Sequence, residues 1–205
     1  MMMNRNDMLI LIDNGHGNDT PGKRSPDGKF REAYYCREIA AKVAHRLRKA
    51  GYEADELVPE LYDIRLLERV HRVNVKCQSR GKNNVMLVSI HCNAAGKGDK
   101  WANATGWEVW TSPGRTASDN LANCLVERAK VNFEGKKIRE WKQVDGERDK
   151  EANFTILKDT LCAAVLTENF FMDNKEDVVF LESEEGKEAI IRTHVEGIIN
   201  YIESL

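Results

Sequence analysis

The sequence predicts a single α/β domain with a largely parallel central sheet and helices on both of its faces. Continuous apolar runs of strand length begin at Met8, Val85 and Leu161, as expected for strands that are covered on both sides. Amphipathic helical patterns separate these runs, and an alternation of strand and crossover helix is typical of parallel sheets. The chain of 205 residues is also long enough to bury a core unaided.

The composition argues against several classes of protein. Lys and Arg number 31 and Asp and Glu number 33, so charge gives no reason to expect nucleic acid or an anionic membrane as a partner. No apolar run is long enough to span a bilayer. Residues 1–7 should be disordered or extended, and because no signal-peptide pattern is seen we expect a cytoplasmic protein as synthesised. Five cysteines without a Cys-x-x-Cys pair indicate reduced, mostly buried thiols.

The first strand and its turn present a histidine. The apolar strand begins at Met8, and Gly15 and Gly17 allow tight backbone bending on both sides of His16. This histidine therefore stands at the carboxyl end of a central strand, where open α/β sheets place their ligand sites. A histidine presented in this way is typically a metal ligand or a catalytic base.

A second strand repeats this arrangement. A helix over 31–50 carries Glu32 in its first turn, and it is followed by a weaker strand over 52–58. A helix over 64–79 comes next, and its inward stripe is expected to be Leu66, Leu67, Val70, Val73 and Cys77. The buried strand over 85–91 again ends in histidine, so His16 and His91 should converge at one sheet edge. Neighbours on a strand face opposite sides, so Cys92 is not expected to be a ligand.

The second half of the chain supplies another carboxylate. We expect a loop over 96–105, a strand over 106–111, a helix over 116–132, a strand over 161–167 that stops at Glu168, and a helix over 184–204 capped by Ser183. The charged segment 133–153 is interpreted as a solvated loop or mobile flap, with a substrate-covering role as the alternative. His45 and His71 should be solvated and His194 should pack at the core edge.

Four side chains form a candidate metal centre. His16, His91 and Glu168 fall at strand carboxyl ends, and Glu32 begins the helix that returns from that edge. Two histidines and one carboxylate satisfy the three protein ligands of a catalytic zinc and leave one position open. A remaining carboxylate can then act as a general base. Spacing alone does not say which glutamate binds and which is the base.

An ordered set of motifs carries a resemblance to a known family. The pieces are Ile12-Asp-Asn-Gly-His-Gly17, Glu32, Leu67-Glu-Arg-Val70 with Asn74, Ser89-Ile-His-Cys-Asn-Ala94, Gly106-Trp-Glu-Val-Trp110 and Leu166-Thr-Glu-Asn-Phe-Phe-Met-Asp-Asn174. In this order they resemble the zinc-dependent N-acetylmuramoyl-L-alanine amidases of the amidase-3 type. The family usually has proline in place of Asn14, and often glycine in place of Asn18. Small or aliphatic residues are common in place of Asn169 and Phe170.

The resemblance implies that His16, Glu32 and His91 bind one Zn²⁺ and that Glu168 is the catalytic glutamate. Residues 8–205 would form the amidase-3-like catalytic domain, with no separate cell-wall-binding module. The implied reaction is hydrolysis of the amide between N-acetylmuramic acid and L-alanine in peptidoglycan or muropeptides. The protein would be an endolysin, released with a partner such as a holin, or a muropeptide-recycling amidase.

Two other interpretations stay open. One keeps the zinc and changes the reaction to that of a peptidase or carboxypeptidase acting on stem peptides. The other is a catalytically inactive glycan-binding domain.

Overall fold

The computed structural model describes residues 8–140 and 149–205. The expectation for residues 1–7, and the middle of the charged segment at 141–148, lie outside the described residues. The elements are β1 (Leu9–Asn14), α1 (Glu32–Lys49), β2 (Glu53–Glu56), α2 (Leu66–Arg80), β3 (Val85–Asn93), β4 (Glu108–Thr111), α3 (Ala117–Asn132), β5 (Lys150–Glu151), α4 (Thr155–Lys158), β6 (Ala163–Phe171), α5 (Lys175–Glu182) and α6 (Glu184–Ser204).

The strands form one sheet in the order β2-β1-β3-β6-β4-β5. The β4–β6 pair is antiparallel, whereas the other four pairs are parallel. Alternate residues of the central strands enter two separate cores, which confirms helices on both faces. One core contains Ile10, Ile39 and Ile198, and the other contains Leu11 and Val73. The structure therefore confirms the predicted α/β class with a largely parallel sheet.

Two central strands run further than the sequence indicated. β3 continues to Asn93 and β6 to Phe171, so His91 and Glu168 lie inside strands and do not end them. The two residues are partners in the parallel ladder, and the register shifts between His91 and Asn93. The prediction was wrong because a polar side chain interrupts an apolar pattern without interrupting the backbone hydrogen bonds.

The predicted inward stripe of α2 is correct only in part. Val70, Val73 and Cys77 are buried, but Leu66 and Leu67 are 52% and 72% exposed. The first turn of α2 lies at the rim of the sheet, where Leu66 faces a cavity. The apolar stripe therefore meets the core only from Val70 onwards.

The cap of α6, the remaining histidines and the cysteines can be compared with their predicted environments. Ser183 caps α6 by accepting a hydrogen bond from the Gly186 N–H, as predicted. His45 and His71 are exposed, and all five cysteines are free thiols. His194 is fully buried, deeper than the core edge, because Thr167 Oγ1 and the Ile190 carbonyl lie 2.9 and 2.8 Å from its two ring nitrogens. No helix among the described residues has the length and apolar character that crossing a membrane requires.

Two non-glycine residues in the described part of the chain have positive φ. They are His16, at 63°, and Phe170, at 62°. A left-handed backbone costs an L-residue about 1–2 kcal/mol. The fully buried Phe170 ring packs edge-on against Phe133 and Phe180, with centroids 5.2 and 5.1 Å apart. This aromatic packing holds β6 in its twisted course just beyond Glu168.

Candidate metal centre

The turn after β1 fits its surroundings closely at both glycines. A Cβ on Gly15 would stand 2.5 Å from His91 Nδ1, and a Cβ on Gly17 would stand 2.0 Å from the backbone nitrogen of Asp63. Glycine is therefore required at both positions by close approach, and not only for backbone flexibility. The turn places His16 next to His91, and the two imidazole rings lie edge to face with their centroids 5.1 Å apart.

Three of the predicted ligands meet at this point. His16, Glu32 and His91 each offer a donor atom within 4.8 Å of the others. Glu32 Oε2 lies 3.5 Å from His16 Nε2, and Glu32 Oε1 lies 3.2 Å from His91 Nδ1. Donors that surround a tetrahedral zinc at its usual bond lengths stand ~3.4 Å apart. The cluster can hold a metal ion, and its two nitrogens and one oxygen form a donor set that zinc accepts.

Glu32 carries a further sign of fit to a cation. Its carboxylate is 1% exposed, and Oε1 accepts a hydrogen bond from the Cys92 N–H at 3.1 Å. The other oxygen, Oε2, is buried without a hydrogen bond in the described structure. A buried carboxylate oxygen is costly to leave unpartnered, so a metal at this point would satisfy it. Cys92 therefore positions Glu32 through its backbone, while its thiol remains outside the donor cluster.

The histidines differ in their electrostatics. Burial lowers the pKa of His16 to about 4, although Glu32 opposes the shift. Burial also acts to lower the pKa of His91, but the hydrogen bond and the charge of Glu32 outweigh it and raise that pKa. Metal ligation requires both imidazoles to be neutral, so acid competes with a metal for this cluster mainly at His91.

Glu168 faces the cluster from the neighbouring strand. Its register partner is His91, and it lines the same cavity as both histidines. Only limited solvent contact remains, and burial raises the pKa of Glu168 to about 8, with Glu32 and Glu108 adding to the shift. Its Oε2 has no hydrogen-bond partner in the described structure. The carboxyl is thus free to exchange a proton with a bound molecule.

Arg69 links the start of α2 to the end of β1 beside the cluster. Its guanidinium, 3% exposed, donates to Asp13 Oδ1 at 2.7 Å and to the Asn14 carbonyl at 2.6 Å. It also reaches the Ile64 carbonyl at 2.8 Å, so α2 is tied to the end of β1. The second oxygen of Asp13 accepts from Ser89 Oγ of β3 at 2.6 Å. This network joins β3, which carries His91, to the end of β1, just before the turn that carries His16. The sequence marked Arg69 only as part of a motif.

A second residue to which the sequence assigned no supporting role is Asn169. Its side-chain nitrogen donates to the His91 carbonyl at 2.9 Å, and its oxygen accepts from Trp107 Nε1 at 2.9 Å. The residue is fully buried, so these bonds fix the backbone of His91 from β6. Its amide within an apolar strand was the available signal, because buried amides need partners.

The cavity beside the cluster has a volume of about 520 Å³. Its polar lining consists of the histidines, Glu168, Lys23 and the Arg69 network. Its apolar lining consists of Ile64, Leu66, Phe154, Ile156 and Leu166. A half-open cavity with an apolar wall and a few convergent polar groups is typical of a ligand site.

The protein thus has an α/β fold with a cluster of three side chains, His16, Glu32 and His91, that could hold a metal ion. Residues 10–200 match the Amidase_3 family, described as N-acetylmuramoyl-L-alanine amidase. The match covers nearly the whole chain, so the protein belongs to this family.

Individual relatives agree with this membership. The chain is 26% identical over 197 residues to an endolysin of Bacillus phage SPP1, which covers 93% of this chain and 64% of the relative. It is also 28% identical over 196 residues to the N-acetylmuramoyl-L-alanine amidase CwlM of Bacillus licheniformis. That alignment covers 92% of this chain and 66% of the relative. The chain thus spans slightly less than two thirds of the length of either relative.

A solved structure has the same fold. It is that of an N-acetylmuramoyl-L-alanine amidase from Clostridium difficile 630, with a TM-score of 0.81 and 25% identity. The superposition covers 97% of this chain and 98% of that one.

Proposed function

We propose that the protein is a zinc-dependent N-acetylmuramoyl-L-alanine amidase that hydrolyses the amide between N-acetylmuramic acid and L-alanine in peptidoglycan. The observation that carries the proposal is the convergence of His16, Glu32 and His91 at a cavity that Glu168 also lines. Family membership supports the choice of substrate. Residues 8–205 would serve as the catalytic domain.

His16, Glu32 and His91 would hold the zinc. When bound, zinc supplies a Lewis acid for the scissile carbonyl and a positive charge that favours the ionised form of Glu168. Glu168 accepts a proton from the attacking water, and it then delivers a proton to the departing alanine nitrogen, without which the amide cannot leave. Phe154 and the other apolar side chains of the cavity lining would exclude water from part of a bound peptide.

One relative, a phage endolysin, supports the lytic setting. In that setting the protein acts on the intact wall, and its release depends on a partner such as a holin. In the recycling setting it acts on soluble muropeptides. A peptidase acting on stem peptides would use the same residues on a different bond.

Digestion of purified sacculi and, separately, of soluble muropeptides tests the proposal. The expected products are new free amino groups of L-alanine together with intact muramic acid. Release of free D-alanine would instead identify a carboxypeptidase. Cleavage of muropeptides alone would contradict the lytic setting, and failure to cleave either substrate would contradict the amidase proposal.

Two variants separate the proposed roles. Glu168→Ala should keep one zinc per chain and its fold but lose about three decades of rate, because only the acid/base is removed. His91→Ala should lose zinc first, seen as depleted metal per chain in elemental analysis. Near wild-type activity of Glu168→Ala would refute its assignment.

A further inference from the structure

Lys23 is held close to the metal centre by the backbone. It lies in the loop between β1 and α1, and its carbonyl accepts a hydrogen bond at 3.1 Å from the N–H of Glu32. The following residues form a small hairpin, in which Arg24 pairs with Arg31 and the Ser25 N–H donates to the Phe30 carbonyl at 2.9 Å. The start of the Lys23 side chain is thus fixed relative to a proposed zinc ligand.

Among the described residues that line the cavity, none pairs with the charge of Lys23. The guanidinium of Arg69 is already paired with Asp13 and Asp63, and Glu32 is shared by the two histidines. The ammonium of Lys23 makes no ion pair or hydrogen bond with the part of the chain that the structure describes. Its charge acts on the cavity nonetheless, since it contributes to lowering the pKa of His16 and opposes the raised pKa of Glu168.

This arrangement selects the chemistry of the ligand. The cavity lining combines this cation and the two candidate histidine ligands with apolar side chains that include Ile64 and Phe154. A bound molecule should therefore carry an anionic group within reach of Lys23 together with an apolar part. In peptidoglycan the residue after L-alanine is a D-glutamate that is joined through its side-chain carboxyl, so its α-carboxyl is either free or amidated.

We propose that Lys23 is a specificity-determining residue that binds the free α-carboxylate of the second stem-peptide residue. The inference rests on the proposed function and specifies its substrate as peptide stems with that carboxylate unamidated. Lys23 is a half-buried residue. An ammonium that meets a carboxylate in a cavity forms a charge-assisted hydrogen bond, which an amide cannot replace at equal strength.

The test combines two substrates with three proteins. The substrates are N-acetylmuramoyl tripeptides with D-glutamate or D-isoglutamine in the second position. The wild type should cleave the D-glutamate form with a kcat/KM about three- to tenfold higher than that of the D-isoglutamine form. The lower value corresponds to an exposed ion pair and the higher value to a shielded one. Lys23→Met should lose this preference by losing rate on the D-glutamate form. Lys29→Met, which removes an exposed charge from the same loop, should keep it.

Other outcomes overturn the inference. An equal loss of rate on both substrates in Lys23→Met would mean that Lys23 acts on the reacting carbonyl or on the loop. An unchanged preference would mean that it does not touch the peptide.

Binding separates this inference from the proposed function. Calorimetric binding of the two tripeptides should be measured with Glu168→Ala and with Glu168→Ala/Lys23→Met. A carboxylate preference that disappears with Lys23 supports the inference even if the wild type cleaves neither substrate, a result that would refute the amidase proposal alone. Equal binding of both tripeptides by Glu168→Ala refutes the inference.

Discussion

Gly15→Ala is the substitution that most directly probes how the β1 turn shapes the metal centre. Gly15 does not have a positive φ, so alanine can adopt its backbone, but the new Cβ would stand 2.5 Å from His91 Nδ1 and 2.6 Å from Cε1. Ordinary contact begins at 3.4 Å, so the imidazole must move by about 0.9 Å (3.4 minus 2.5). Metal sites tolerate deviations of only about 0.2 Å.

The displacement should weaken zinc binding and leave the fold intact. Disturbed support of a ligand typically reduces metal affinity by about 10–100-fold. With zinc well above Kd, that loss removes about 1.4–2.7 kcal/mol of zinc-dependent stabilisation. The zinc-free protein should unfold within about 1 kcal/mol of the wild type, because the substitution also lowers the entropy of the unfolded chain.

Chelator competition gives the zinc affinity, and urea unfolding with and without zinc gives the stabilisation. Gly96→Ala is the matched control, since its Cβ would meet nothing closer than Asp173 Oδ2 at 3.7 Å. Equal zinc affinities for the two variants would refute the steric reasoning. A large loss of zinc-free stability in Gly15→Ala would show that the turn itself, and not His91, yields.

Two further predictions concern stability. Arg69→Met should lower the free energy of unfolding, measured by urea titration, by about 3–5 kcal/mol, because Asp13 stays buried without its cation. The control Arg80→Met, which breaks an exposed ion pair, should change it by less than about 1 kcal/mol. Equal effects of the two substitutions would contradict this reasoning. Burial lowers the pKa of His194 to about 4. Below pH 6.5 the unfolded state therefore binds a proton at this residue while the folded state does not, so the free energy of unfolding falls as the pH falls towards 4. Between pH 7.5 and 5, His194→Gln should lose about 2 kcal/mol less than the wild type; an equal loss would contradict the buried neutral imidazole.

The sequence predicted the sheet and the approach of the two histidines because both depend on local patterns. Gly15 and Gly17 mark the turn at His16, and apolar runs mark the central strands. The end of β6 was wrong because Glu168 looks like a strand terminus, although its backbone remains in the ladder. Whether a polar residue ends a strand depends on the neighbouring strand, which a single segment does not reveal.

The supporting residues were harder to predict because their partners are distant in sequence. Arg69 contacts Asp13 across 56 positions, and Asn169 contacts the His91 carbonyl across 78. Lys23 lies in a polar loop, where nothing in the local pattern distinguishes a lysine beside the metal centre from a solvated one. The short helix α5 was missed because its eight residues carry little periodicity.

The left-handed backbone at Phe170 makes the orientation of Glu168 depend on side chains that never touch the cavity. Burying a phenylalanine ring is worth about 2–3 kcal/mol, and each edge-on aromatic pair adds about 0.5–1.5 kcal/mol, which together exceed the backbone penalty. Phe133 and Phe180 thus act as remote anchors of the proposed acid/base. Loss of either ring would let β6 relax towards an ordinary extended path. The carboxyl of Glu168 would then shift, although His16, Glu32 and His91 stayed in place.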